Sequence, residues 1–202
     1  MKAVLISVSS REDTRTSAVL YETAKALADS GIASDMIFLQ DTYIHYCTDC
    51  GACDTAGACI QKDDLDQILT HIREADIVAV VSPSDREMTA GPMKDFMGRF
   101  LRLGKAGSPL VKIPAGKTGT FITVRAEPGK PGKLGEPGEP GEPGNNTDAA
   151  AVRHIFADMH IPLLHTFTVY GTHKKKGLAG SPEEPTQAYM FGKEIAGSAA
   201  SC

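Results

Sequence analysis

The sequence predicts an α/β domain: a parallel sheet with helices on both faces. Short apolar runs such as residues 3–7 ("AVLIS") and 77–82 ("IVAVVS") have the pattern of strands buried on both sides. Each is followed by a stretch whose apolar residues recur at helical spacing. The two patterns alternate five times along the chain, which argues for a parallel sheet with crossover helices.

The elements follow in order. Residues 3–7 form the first strand. From about Thr16, the residues Val19, Leu20, Ala24 and Leu27 recur at helical spacing, with Ser and Thr available to cap the start and Gly31 to end it. Residues 34–40 ("SDMIFLQ") read as the second strand. After a cysteine-rich segment, residues 62–76 place Leu65, Ile68, Leu69 and Ile72 on one stripe, with acidic residues in the first turn where the helix dipole favours them. Residues 77–82 make the third strand, 91–103 a helix with Pro92 near its first turn, and 119–124 the fourth strand. A helix over 146–160, a strand over 163–171 and a helix over 183–197 complete the chain. Periodicity leaves the strand order open. In sheets of this kind ligands bind outside the carboxyl ends of the strands, near the point where strand order reverses, so the first, third and fourth strand-to-helix loops are the candidate ligand loops.

One tract interrupts the alternation. Residues 127–144, "EPGKPGKLGEPGEPGEPG", set Gly at 129, 132, 135, 138, 141 and 144, a collagen-like spacing. The tract is far shorter than collagen arrays and a triple helix would need three chains, so it predicts an extended, polyproline-like loop solvated by Lys130, Lys133, Glu136, Glu139 and Glu142. Because it leaves the fourth strand, it is placed to act as a lid over a ligand at the sheet edge or to reach a neighbouring subunit.

The 202 residues, 42% of them hydrophobic and 23% charged, suit one domain spanning 1–202. A formal charge of −4, with no basic block beyond the triplet Lys174, Lys175 and Lys176, gives no electrostatic reason to bind nucleic acid. The N-terminus turns polar after one short apolar run and nothing later is long enough to span a bilayer, so the expectation is a cytoplasmic protein with no membrane partner. Thiols there stay reduced, which sets disulfides behind metal or redox chemistry as the use of a tight cysteine group.

That group is Cys47, Cys50, Cys53 and Cys59 in "CTDCGACDTAGAC", a C-x2-C-x2-C-x5-C spacing. Two residues between successive thiolates let one loop curl around an iron-sulfur cluster, and a slightly longer step brings the fourth. A zinc ion also accepts four thiolates, but such sites are usually built from two pairs on separate segments, so the spacing favours a cluster. No second cysteine run exists and Ile60, not Pro, follows Cys59, so all four are expected to serve one [4Fe-4S] cluster. Cys202, on an Ala/Ser tail, reads as a lone thiol outside that set.

The segments "CTDCGACDTAGACIQKDDLDQI", "EADIVAVVSP" and "GPMKDFMGRF" together resemble the iron-sulfur flavoproteins of the NAD(P)H-dependent FMN reductase, flavodoxin-like superfamily. The resemblance covers nearly the whole chain apart from the Gly-Pro tract, and is most specific from Cys47 to Arg99. It implies a flavodoxin-like three-layer sandwich with a five-stranded parallel sheet, FMN at the sheet's carboxyl edge, one [4Fe-4S] cluster on Cys47, Cys50, Cys53 and Cys59, and a homodimer or homotetramer in which one subunit's cluster approaches a neighbour's flavin.

The flavin loops are the part that departs from the family pattern. Where relatives carry Gly-Ser-Pro-Arg after the first strand, this chain has Val8, Ser9, Ser10 and Arg11, which puts a branched side chain where the backbone of relatives turns tightly. Ser9, Arg11, Thr16 and Ser17, with Arg15 nearby, still offer hydroxyls, guanidinium groups and helix-start N–H groups to a phosphate. Where relatives carry Ser-Pro-Val-Tyr after the third strand, this chain reads Ser82, Pro83, Ser84, Asp85, Arg86, Glu87. Pro83, Ser84, Asp85, Arg86 and Met88 are therefore the candidates to face the isoalloxazine ring, with Arg86 or Met88 against it.

The resemblance implies an oxidoreductase that relays electrons between a nicotinamide or ferredoxin-like donor, FMN, the cluster and an acceptor. FMN accepts a hydride and releases single electrons, which matches a one-electron cluster. No general acid, base or nucleophile is required, and no convincing nucleophile-base set is present. The rival reading is a non-enzymatic protein that has lost FMN and keeps a cluster or zinc for electron relay or oligomer assembly. A third is a metal-free flavin reductase.

Overall fold

A computed structural model describes residues 1–9, 15–83, 91–125, 147–170 and 183–199. Its elements are β1 (Lys2–Ser7), α1 (Arg15–Ala28), β2 (Ala33–Phe38), α2 (Ala52–Ala56), α3 (Leu65–Glu74), β3 (Ile77–Pro83), α4 (Gly91–Lys105), β4 (Thr118–Arg125), α5 (Thr147–Asp158), β5 (Leu163–Tyr170) and α6 (Glu183–Ala199). The five strands are all parallel and lie in the order β2-β1-β3-β4-β5, the flavodoxin-like arrangement, whose switch point falls between β1 and β3.

The three central strands β1, β3 and β4 are buried on both sides, and their two-residue periodicity divides the core. Val4, Ile6, Val78, Val80 and Phe121 face α3, α4 and α5, meeting Leu65, Ile68, Leu69, Ile72, Phe96, Phe100 and Phe156. Ala3, Leu5, Ala79, Val81 and Ile122 face α1 and α6, meeting Val19, Leu20, Leu27, Ala188 and Ile195. The α1–α6 contact is close because residue 192 is glycine: a Cβ there would lie 2.5 Å from the Cβ of Ala26. Helix α1 ends as its Gly31 foretells. Gly31 takes φ 78°, and the N–H groups of Ile32 and Gly31 bond back to Leu27 and Ala28 at 3.0 and 2.9 Å.

Two local expectations are corrected and one element is added. The second strand stops at Phe38, because Leu39 turns into the core and Leu39–Asp41 form a 3-10 turn closed by the Thr42 hydroxyl on the Leu39 carbonyl at 2.7 Å. Residues 62–64 are not helical. Asp64 accepts the Tyr43 N–H at 2.7 Å and Asp63 the His45 N–H at 3.0 Å, so these carboxylates hold the preceding segment, and Asp66 is the acidic residue in the first turn of α3. Helix α2 lies inside the cysteine segment, where five residues are too few for periodicity to reveal.

Candidate functional site

The connection from β2 to α3 has no strand partner and is shaped by turns instead. Gly51 and Gly57 bracket α2 in the left-handed region at φ 71° and 65°. Asp49 also adopts it, at φ 52°, a conformation that short polar side chains tolerate. These turns bring Cys47, Cys50, Cys53 and Cys59 to the wall of one open pocket, shared with Gln61, Arg99, Arg102 and Leu103. All four are free thiols. Helix α2 directs Cys53 inward, 8% exposed and packed in the core, whereas Cys50 is exposed and Cys47 and Cys59 are half-buried. The thiols share the pocket without closing on one point: among the described residues, no three His, Cys, Asp or Glu side chains gather tightly enough to hold a metal ion.

The segment is anchored to α4 by two arginines one helical turn apart. Arg99 and Asp63 form an ion pair with both side chains 1% exposed. Asp63 also accepts the N–H groups of His45, at 3.0 Å, and Leu65, at 3.2 Å. Burial pushes the Asp63 carboxyl up, but those N–H groups and Arg99 outweigh it and hold the carboxyl below its usual range. The ion pair therefore ties both ends of the cysteine segment to one point. Nearer solvent, Arg102 grips Asp54 through two bonds of 2.7 and 2.5 Å and reaches Asp49 at 3.3 Å. Arg102 lowers the Asp54 carboxyl in turn. His45, which precedes the segment, packs edge-on against Tyr43 with ring centroids 4.5 Å apart.

In donor type the pocket suits a thiolate-bound group. It presents four sulfurs from one short segment, the donor type that iron-sulfur clusters and zinc take, with two guanidinium groups on the same wall.

The second candidate region is the carboxyl edge at the β1/β3 switch. Val8 does not turn tightly: its N–H donates to the Val81 carbonyl at 3.0 Å, and its side chain is buried, so the branched residue costs no left-handed conformation. Ser9 is buried beside it. Thr16 and Ser17 are buried in the first turn of α1, and Arg15, its first residue, is half-buried. These four residues thus gather at the end of β1 and the start of a 14-residue helix, where N–H groups favour an anion. Pro83 ends β3 opposite Val124. Arg11, Ser84, Asp85, Arg86 and Met88 lie outside the described residues, as do Cys202, Lys174, Lys175, Lys176 and the 127–144 tract.

The sequence reading missed several residues. Arg99 stands at a stripe position, three after Phe96 and four before Leu103, so a charge on a helix's buried face was the available signal. Its partner Asp63 sits in the "KDD" run, but nothing local distinguishes it from Asp64. Arg125 ends β4 at the carboxyl edge, in register with Tyr170, and its buried Nε has no hydrogen-bond partner among the described residues.

Known proteins resemble this chain in sequence and in fold. The chain is 37% identical over 130 residues to an iron-sulfur flavoprotein of Archaeoglobus fulgidus, covering 64% of this chain and 57% of that protein. It is 34% identical over 106 residues to an iron-sulfur flavoprotein of Methanocaldococcus jannaschii, covering 52% of this chain and 55% of the relative. The matches thus span a little over half the length of these curated relatives. A solved flavodoxin from the domain Archaea has the same fold, with a TM-score of 0.53 at 15% identity over 99% of both chains. Residues 1–128 match the family described as NADPH-dependent FMN reductase, and that stretch contains the switch-point edge and all four pocket cysteines. This chain belongs to the NADPH-dependent FMN reductase family.

Proposed function

We propose that the chain is an FMN-dependent oxidoreductase carrying one [4Fe-4S] cluster on Cys47, Cys50, Cys53 and Cys59. The observation that carries it is the shared pocket: four free thiols from one short segment line a single concave wall beside two arginines. The relatives named iron-sulfur flavoprotein and the family match support the same reading. When bound, FMN takes up a hydride and returns single electrons, and the cluster carries them one at a time.

The chain's own residues have separate tasks in this reading. Ser9, Arg15, Thr16 and Ser17, with Arg11, receive the FMN phosphate at the start of α1, where hydroxyls and helix N–H groups meet. Pro83, Ser84, Asp85, Arg86 and Met88 face the ring, and Arg125 adds a guanidinium at the same edge. Drawing the four thiols inward on loading asks the segment to close, with Gly51 and Gly57 as its hinges. The donor is a nicotinamide or a ferredoxin-like protein. The active species is a homodimer or homotetramer in which the cluster of one copy serves the flavin of another.

The deciding experiment is an assay of iron, acid-labile sulfide and FMN on one anaerobic preparation. Iron and sulfide in equal amounts together with FMN support the proposal. Iron without flavin turns the protein into a relay, flavin without iron into a plain flavin reductase, and zinc with neither into an assembly element.

A further inference from the structure

Arg99 has more bonding capacity than its ion pair uses. One Nη donates to the Asp63 carboxylate and the other reaches the Gln61 carbonyl at 3.5 Å, while the buried Nε–H has no partner among the described residues. Buried donors are almost always paired, so an unpaired guanidinium N–H one bond from a satisfied ion pair asks for an acceptor. The pocket supplies the direction. Arg99 lines its wall with the four cysteines, and Asp63 does not. The ion pair is therefore an oriented dipole whose cationic end borders the sulfur pocket and whose anionic end is turned to the His45 and Leu65 backbone.

Arg102 makes the contrast. It borders the same pocket, but its Nε and both Nη groups are engaged by Asp49 and Asp54, and its side chain is 23% exposed beside carboxylates that are 86% and 50% exposed. Solvent screens that pair more than it screens Arg99, whose side chain is 1% exposed.

We infer that Arg99 sets the reduction potential of the sulfur-bound group: its buried charge borders the pocket and its Nε–H has no other acceptor among the described residues, and together they stabilise the more negatively charged, reduced state. Adding one electron to four thiolates and an iron-sulfur core increases an already negative charge, and potentials rise with nearby positive charge and with hydrogen bonds to sulfur. This inference rests on the cluster reading above. Arg99 touches no reacting atom in that account, and its tie through Asp63 also makes it a positioning residue for the segment.

The test is a mediated dithionite titration, followed by electron paramagnetic resonance, on anaerobic full-length protein whose iron and sulfide have first been assayed. Wild type without iron overturns the cluster reading; wild type with iron leaves the titration to judge Arg99 alone. Arg99→Gln is expected to weaken one-electron reduction roughly tenfold, moving the midpoint about 59 mV more negative. Because Arg99→Gln leaves Asp63 uncompensated, the double variant Arg99→Gln, Asp63→Asn removes both charges, and a smaller shift of the same sign is expected. Arg102→Gln is expected to shift it less than either. An unchanged midpoint in the double variant, or a shift in Arg102→Gln as large as that in Arg99→Gln, overturns the inference. If neither Arg99 variant retains iron, melting of the metal-free double variant, in which no buried charge is left uncompensated, decides. Melting like metal-free wild type supports a role at the sulfurs, and an early melt makes Arg99 a plain core strut and overturns it.

Discussion

From Ser7 to Ser9 the chain is held by its strand neighbour: Val8 continues the ladder onto Val81, and burial fixes the side chains on either side. From Cys47 to Cys59 no ladder exists: the path is held by glycine turns and by Arg102 on Asp49 and Asp54, while Asp63, Asp64 and Arg99 fix the residues on either side of it. The difference decides how each region answers to substitution. A backbone ladder is indifferent to most side chains, which is why the branched Val8 is held there without strain. A loop suspended from a few ion pairs is as stable as those pairs.

The largest expected effect follows from removing one half of the buried pair. Asp63→Ala leaves Arg99 as an uncompensated buried cation and releases the His45 and Leu65 N–H groups, so unfolding in urea is expected to lose about 3 kcal/mol, with loss of bound iron. A loss below about 0.5 kcal/mol breaks the comparison, since the segment would then be anchored by something else.

Next comes Gly192→Ala on the opposite face. Its Cβ would sit 2.5 Å from the Ala26 Cβ and 3.0 Å from the Thr23 carbonyl oxygen, backbone that does not yield easily. The expected cost is about 1–3 kcal/mol from overpacking, with iron content per folded molecule unchanged. Iron lost in step with stability would show that segment and body are one unit after all.

Acidification separates the two regions more gently. Asp63 has a folded-state pKa below its ordinary value of 3.8, so its contribution is full above that value and is lost as the pH falls through the lowered folded-state pKa. Urea unfolding of wild type and Asp63→Asn is therefore expected to differ most near neutrality and to converge below the ordinary carboxylate range. A gap that stays constant to the most acidic point contradicts the assignment.

The smallest effect is a ranking within the pocket. In metal-free protein, brief treatment with iodoacetamide followed by peptide mapping is expected to label exposed Cys50 first and core-packed Cys53 last. Equal labelling would mean that α2 does not hold Cys53 inward.

Much of this fold was legible along the chain because it is written in short-range periodicity. Leu65, Ile68, Leu69 and Ile72 mark the buried stripe of α3, and all four are buried. The runs at 3–7 and 77–82 mark strands covered on both sides, and the glycine at 31 marks the end of α1. The site was legible only in part. Cysteine spacing singled out the segment, but Leu39–Asp41 and α2 are too short to carry a period, and their form depends on what packs beneath them.

By itself, then, the order of residues determined how many layers form, which face of each element is buried, and which thiols belong together, since each depends on neighbours within a turn or two. Folding alone decided that β1 and β3 lie side by side at the switch point and that Asp63 meets an arginine 36 residues away. Pairings at that separation leave no local pattern, because either partner would read the same in a chain where they never touched.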